Sequence, residues 1–136
     1  MKTNMLLNLP VKNLNRSIAF FTELGFSFNP KFTNEKATCL IIDENINVML
    51  LVEEFYKTFT DKEICNTAIS NEAIISISVA SRKQVDEMIE KVIKAGESEY
   101  KEKKDYGWMY QRNFRDIDGH HWEIFFMDES QIPQAD

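Results

Sequence analysis

Apolar positions along this chain change their period in an order that then repeats. From Met5 to Val11 they alternate, with Leu7, Leu9 and Val11 on one side and Leu6, Asn8 and Pro10 on the other. That alternation predicts a strand, with Pro10 at an end or edge because it has no N–H to donate. The period then lengthens to that of a helix at Leu14, Ile18, Phe21 and Leu24, opened by Asn13 as N-cap and closed by Gly25. Phe26, Phe28 and Phe32 predict a second strand interrupted at Asn29-Pro30. Residues 37–42 and 46–52 predict a third and a fourth, joined through Asp43-Glu44-Asn45.

From Glu53 to Ser70 no strand pattern holds, and Phe55, Tyr56 and Phe59 suggest a short helix or an aromatic-rich connection. Such a stretch is either a plain connector or a segment covering a site. The pattern then restarts. Residues 73–79 predict a strand, Ser81 with Gln84 a capping box, and Val85, Met88, Ile89 and Val92 a helical stripe that Gly96 ends. A polar strand is expected near 97–101, followed by two strands within Tyr106 to Met127 and an acidic tail over 128–136.

The chain therefore reads strand, helix, three strands, twice over. Val11 to Gly25 is a step of 14 residues and Val79 to Gly96 one of 17, a difference near one helical turn of ~3.6 residues. The expected fold is α+β, a tandem βαβββ repeat in one domain spanning 1–136. Module one covers about 4–53, the connector about 54–72 and module two about 73–127. One helix per half covers one face of its sheet, so the other face curls round a cavity or meets a second copy.

The closing stretch carries the densest chemistry. Asp116-Ile117-Asp118-Gly119 is turn-forming: the aspartates bond back to the backbone and Gly119 supplies a positive φ. With Arg115 opposite His120, Phe114 falls opposite His121, Arg112 opposite Glu123 and Tyr110 opposite Phe125. These six would then share one face. Trp108 shares the parity of Tyr110, and Asn8, Ser76 and Ser78 join the same cavity side, whereas Trp122 and Phe126 point to the core. Asn8, Trp108, Tyr110, Arg112, His121 and Phe125 are thus candidate ligand contacts in an apolar pocket with a few polar groups. Glu123 has two readings: a general base facing the cavity, or the ion-pair partner of Arg112 across the strands.

Bulk properties narrow the partners. The composition, 43% hydrophobic and 28% charged, is that of a soluble globular chain. A net charge of −6 argues against nucleic acid, and the one basic cluster, Lys101 to Lys104, is interrupted by Glu102. No run approaches the ~18 apolar residues of a membrane span. Asn8 and Pro10 break the N-terminal run before a secretory core could form, so a cytoplasmic protein is expected. Cys39 and Cys65 fit no metal or redox spacing.

The run N-L-P-V-K-x-L-x-R-S-I-x-F-F from Asn8, with D-x-D-G-H-x-W-E from Asp116, resembles the glyoxalase / bleomycin-resistance / extradiol dioxygenase superfamily, the vicinal oxygen chelate proteins. The resemblance spans almost the whole chain. It implies a half-open curved mixed sheet around a cavity, a homodimer, and in metal-dependent members a divalent ion held by His, Gln or Glu from the first and fourth strands of each half. Carried onto this chain, those positions fall at Leu6, about Leu50, Ile74 and Glu123. Three are aliphatic, and one carboxylate does not hold a divalent ion. No metal or other cofactor is therefore expected. The resemblance then implies a bleomycin-resistance-like binder of a small organic ligand. The alternative is a lyase, isomerase or dioxygenase of the superfamily with Glu123 as acid/base, with a divalent metal if that alternative holds. A blander third is an interaction module whose cavity is filled by its own side chains.

Overall fold

The computed structural model describes residues 1–134 and divides into two compact units, Met1–Asn66 and the chain from Thr67 onward. In the first, β1 (Met5–Val11) leads into α1 (Leu14–Glu23), then β2 (Ser27–Asn29), β3 (Ala37–Asp43), β4 (Ile46–Val52) and a short α2 (Glu53–Tyr56). In the second, β5 (Ile74–Ser78) leads into α3 (Arg82–Lys94), then β6 (Lys104–Asp105), β7 (Met109–Arg115) and β8 (His121–Met127). Each unit is a βαβββ module whose open four-stranded sheet runs in the order β1-β4-β3-β2 or β5-β8-β7-β6. First and last strands pair in parallel, and the other neighbours are antiparallel. The repeat expected from the periodicity is present, and the fold class is the one it implied.

The helices form where local signals place them. The Asn13 side chain accepts from the Arg16 N–H at 3.1 Å, capping α1, and Gly25 beyond its C-terminus has φ +98°. Ser81 caps α3 by accepting from Gln84 N–H at 3.2 Å. The return bond of the expected box is displaced by one residue, the Gln84 side chain accepting from Ala80 N–H at 2.9 Å instead of from the cap residue. Two strand expectations shift. Pro30–Phe32 is a 3-10 turn, since Pro30 cannot continue the ladder. The polar strand near 97–101 reduces to one bridge, Glu99 to Phe114, with a two-residue strand at Lys104–Asp105.

In the first unit α1 packs Phe20, Phe21 and Leu24 toward Leu9, Val11, Leu40, Val48 and Leu50, all at 5% exposure or less. In the second, Val85, Ile89 and Val92 of α3 pack on the face carrying Phe114, Trp122 and Ile124, each fully buried. The Phe114 and Trp122 rings lie parallel, with centroids 6.1 Å apart. Each such side chain contributes roughly 2–3 kcal/mol by leaving water. No helix among the described residues is long and apolar enough to cross a membrane.

The register at the last turn differs from the expected one. Gly119 N–H donates to Asp116 O at 2.9 Å, so the four-residue turn forms, but Asp116 N–H also donates to His120 O at 3.0 Å. Gly119, at φ +84°, acts as an extra bulged residue on the β8 side. Arg115 therefore faces His121, Asn113 faces Glu123, and Arg112 faces Ile124. A slip of one residue transfers a strand's whole side-chain set to the other face.

Candidate functional site on the second sheet

With that register, the helix-free face of the second sheet carries Ser76 on β5, His121, Glu123 and Phe125 on β8, and Gln111, Asn113 and Arg115 on β7. His121 and Phe125 keep their expected side. Tyr110 and Arg112 do not. Both lie on the helix side, where the Tyr110 hydroxyl donates to Asp86 Oδ1 of α3 at 2.6 Å. Arg112 reaches the same oxygen at 2.8 Å and grips both oxygens of Glu99 at 2.7 and 2.8 Å. Burial opposes ionisation of Asp86, but the bonds from Tyr110 and Arg112 outweigh it and hold its pKa below the usual carboxylate value. The expected Arg112–Glu123 pair is absent because the two side chains leave opposite faces of the sheet.

His121 is the centre of the polar face and is 7% exposed. Its Nε2 lies 2.9 Å from Asn113 Oδ1, and its Nδ1 lies 3.4 Å from Asn71 Nδ2. Donation from Nε2–H to the carbonyl, with Nδ1 accepting from the amide, satisfies both bonds with a neutral ring. Burial lowers its pKa most. Arg115 and Lys101 push it further down, against the pull of Glu123. Tyr100 stands edge-on to the imidazole, centroids 5.0 Å apart, and the Arg115 guanidinium lies 3.9 Å from the centre of the same phenol ring. Glu123 accepts from the Ser76 hydroxyl at 3.1 Å. Ser76 lies on β5, on the opposite side of β8 from Arg115, so this bond draws the carboxylate away from the guanidinium.

The turn that sets this face is itself anchored. Asp116 is 3% exposed, and its carboxylate accepts from the Trp122 indole at 2.9 Å and from the N–H groups of Asp118 and His120. Burial pushes its pKa upward against these donors and the charge of His120. His120 thus contributes its backbone to the turn. Trp108 precedes β7 and stacks on Tyr106 at 6.2 Å. Asn8 sits in the first unit, exposed on the helix-free side of β1 opposite Met49.

The metal positions can be compared through register. Glu123 pairs with Ser76, two residues after Ile74, and the matching pair in the first unit is Met49 with Asn8, two residues after Leu6. Leu50 instead faces the helix and is fully buried, so the fourth-strand position is Met49. Leu6, Met49, Ile74 and Glu123 offer one carboxylate and a thioether, which does not fit the three N or O ligands that a catalytic divalent site keeps. Among the described residues no group of three or more His, Cys, Asp or Glu side chains could hold a metal.

Sequence reasoning missed Arg115, Asn113, Asn71 and Tyr100. The first two were recoverable from strand parity once the bulge at Gly119 was allowed. Asn71 and Tyr100 lie outside regular strands, where no period marks a side chain's direction.

Comparison with known proteins agrees with this architecture. Residues 3–42 match the model for the bleomycin resistance protein-like N-terminal region. No curated protein matches the sequence. A hypothetical protein of S. aureus, SA1046, superposes with TM-score 0.79 at 28% identity, over 93% of this chain and 94% of its own. A glyoxalase/bleomycin resistance protein/dioxygenase family enzyme from Burkholderia phytofirmans superposes with TM-score 0.76 at 15% identity, over 93% and 99%. The fosfomycin resistance protein of Listeria monocytogenes gives 0.67 at 18%, over 93% of each chain. The match over residues 3–42 supports a bleomycin resistance protein-like N-terminal region, and the chain as a whole shares the fold of solved glyoxalase / bleomycin-resistance / dioxygenase proteins.

Proposed function

We propose that this protein binds a small organic ligand on the helix-free face of its second sheet and does so without a divalent metal. The observation that carries the reading is the contrast between two sets of residues. The four positions at which the superfamily holds its ion offer a single carboxylate, while the helix-free face of the second sheet keeps an ordered polar cluster around His121. In this reading the protein works as a cytoplasmic homodimer, with neither nucleic acid nor membrane as partner. Metal analysis of the purified protein is the direct test, and the expected result is no stoichiometric divalent ion. A stoichiometric ion lost on Glu123→Ala would overturn it.

One observation favours a second, enzymatic reading. Glu123 is half-buried beside a neutral imidazole, and among the described residues its hydrogen-bond partner is the Ser76 hydroxyl. That leaves carboxylate lone pairs for acid/base work in a lyase, isomerase or dioxygenase. Under that reading Glu123→Gln abolishes turnover of a substrate without moving the melting temperature by more than a degree or so. Unchanged turnover would remove it.

A further inference from the structure

Arg115 is a cation with its hydration partly removed and no counter-charge put in its place among the described residues. Its Nε is closed off from solvent and has no hydrogen-bond partner, and Nε is the sole one of its three nitrogens in that condition. One face of the guanidinium is covered by the Tyr100 ring at 3.9 Å. Among the described residues no carboxylate lies within ion-pairing distance of it, although both other arginines of this unit, Arg82 and Arg112, have acidic partners at 2.6–2.8 Å. Glu123, the acid on the same face, is turned to Ser76 on the far side of β8. A guanidinium so placed is normally paired, since burying a charge without a partner costs free energy.

A second cation stands on the same ring. Lys101 Nζ lies 5.7 Å from the centre of Tyr100. Lys101 is also the one non-glycine residue of the described chain with a left-handed backbone, at φ +68°. That conformation costs an ordinary side chain roughly 1 kcal/mol. Two positive groups thus converge on Tyr100 beside a histidine whose ring nitrogens are already occupied.

We propose that Arg115, with Lys101 on the same Tyr100 ring, is a subsite for the carboxylate of a small organic acid, with Tyr100 backing the guanidinium. The planar fork of terminal nitrogens matches a planar two-oxygen anion, whereas an ammonium alone would not select one. This deepens the small-ligand reading and rests on it for the rest of the ligand.

The probe is benzoate, with benzamide as its neutral isostere and inorganic phosphate as the rival anion, all at constant ionic strength. The readout is the side-chain Nε–H resonance of Arg115 in ¹⁵N-labelled protein, together with affinity by titration. Saturable benzoate binding that moves this resonance, with benzamide silent, is the expected result. Arg115→Gln should weaken it roughly tenfold or more, as loss of a charge-assisted pair does. Lys101→Gly relieves the strained backbone, so that variant keeps the fold and should weaken benzoate several-fold. Equal binding of benzamide, preference for phosphate, or benzoate affinity untouched by both variants would overturn the subsite. A neutral ligand that still stabilises Arg115→Gln would leave the broader reading standing while the subsite fails.

Discussion

At the scale of single residues, Gly119 decides more than its size suggests. Its φ of +84° is one that an L side chain rarely adopts, and a Cβ there would meet Thr67 Oγ1 at 2.6 Å. Thr67 cannot swing aside freely, because its hydroxyl donates to Asp118 O at 2.5 Å. Gly119→Ala should therefore cost roughly 1–3 kcal/mol in chemical denaturation, more than a glycine substitution at an unstrained site. The turn itself was legible from Asp116, Asp118 and Gly119. The bulge was not, because a two-residue turn and a three-residue loop ending in left-handed glycine draw on the same residue types. That ambiguity of one position moved Tyr110 and Arg112 to the wrong face and hid Arg115.

At the scale of elements, the sequence was most readable where a helix or strand buries one side. The stripe of Val85, Ile89 and Val92 and the alternation through β1 each follow from a period that burial enforces. Readability fails from 97 to 107, a polar stretch whose course is set by ion pairs rather than by apolar period. Arg112 holds Glu99 there, and Arg82 holds Asp105 at 2.6 Å, keeping the Asp105 carboxyl well down, at about 2. Replacing Arg112 by Met keeps the stem but takes from Glu99 both of its guanidinium bonds and from Asp86 one, while the Tyr110 hydroxyl keeps its bond to Asp86. The expected cost is about 1–3 kcal/mol, discounted for the part of Asp86 that water reaches. It should appear in a denaturation curve together with faster amide exchange at Tyr100, whose N–H donates to Asn113 O at 2.9 Å. Unchanged exchange there would show that the stretch is held by other means.

At the scale of the whole molecule, the two units repeat one plan while their chemistry diverges. The first unit places Leu6, Asn8 and Met49 where the second places Ile74, Ser76 and Glu123. Parity and repeat could carry the fold across both halves, yet they could not indicate that the polar cluster belongs to the second alone. His121 also gives the whole fold a pH signature. Its folded pKa is lowered from 6.5, so between that lowered value and 6.5 the unfolded chain binds more protons than the folded one. The stability it contributes is present above 6.5 and is lost as pH falls through the folded value. Melting temperature measured from pH 7 downward should fall more steeply for the natural chain than for His121→Gln. Parallel curves would mean that the imidazole titrates as freely folded as unfolded.

The tripeptide Glu99-Tyr100-Lys101 has a consequence for anyone who would change what this protein holds. Glu99 is tied to Arg112 on the helix side, while Tyr100 meets His121 and Arg115 on the other. Adjacent residues at the single bridge from Glu99 to Phe114 thus link the two sides of the sheet. A mutational library restricted to side chains in view of the ligand would leave out Glu99, Arg112 and Asp86. Those three set how firmly Tyr100 is pressed against the guanidinium. Selection for a new ligand should therefore return substitutions on the helix side as well, at positions no ligand touches.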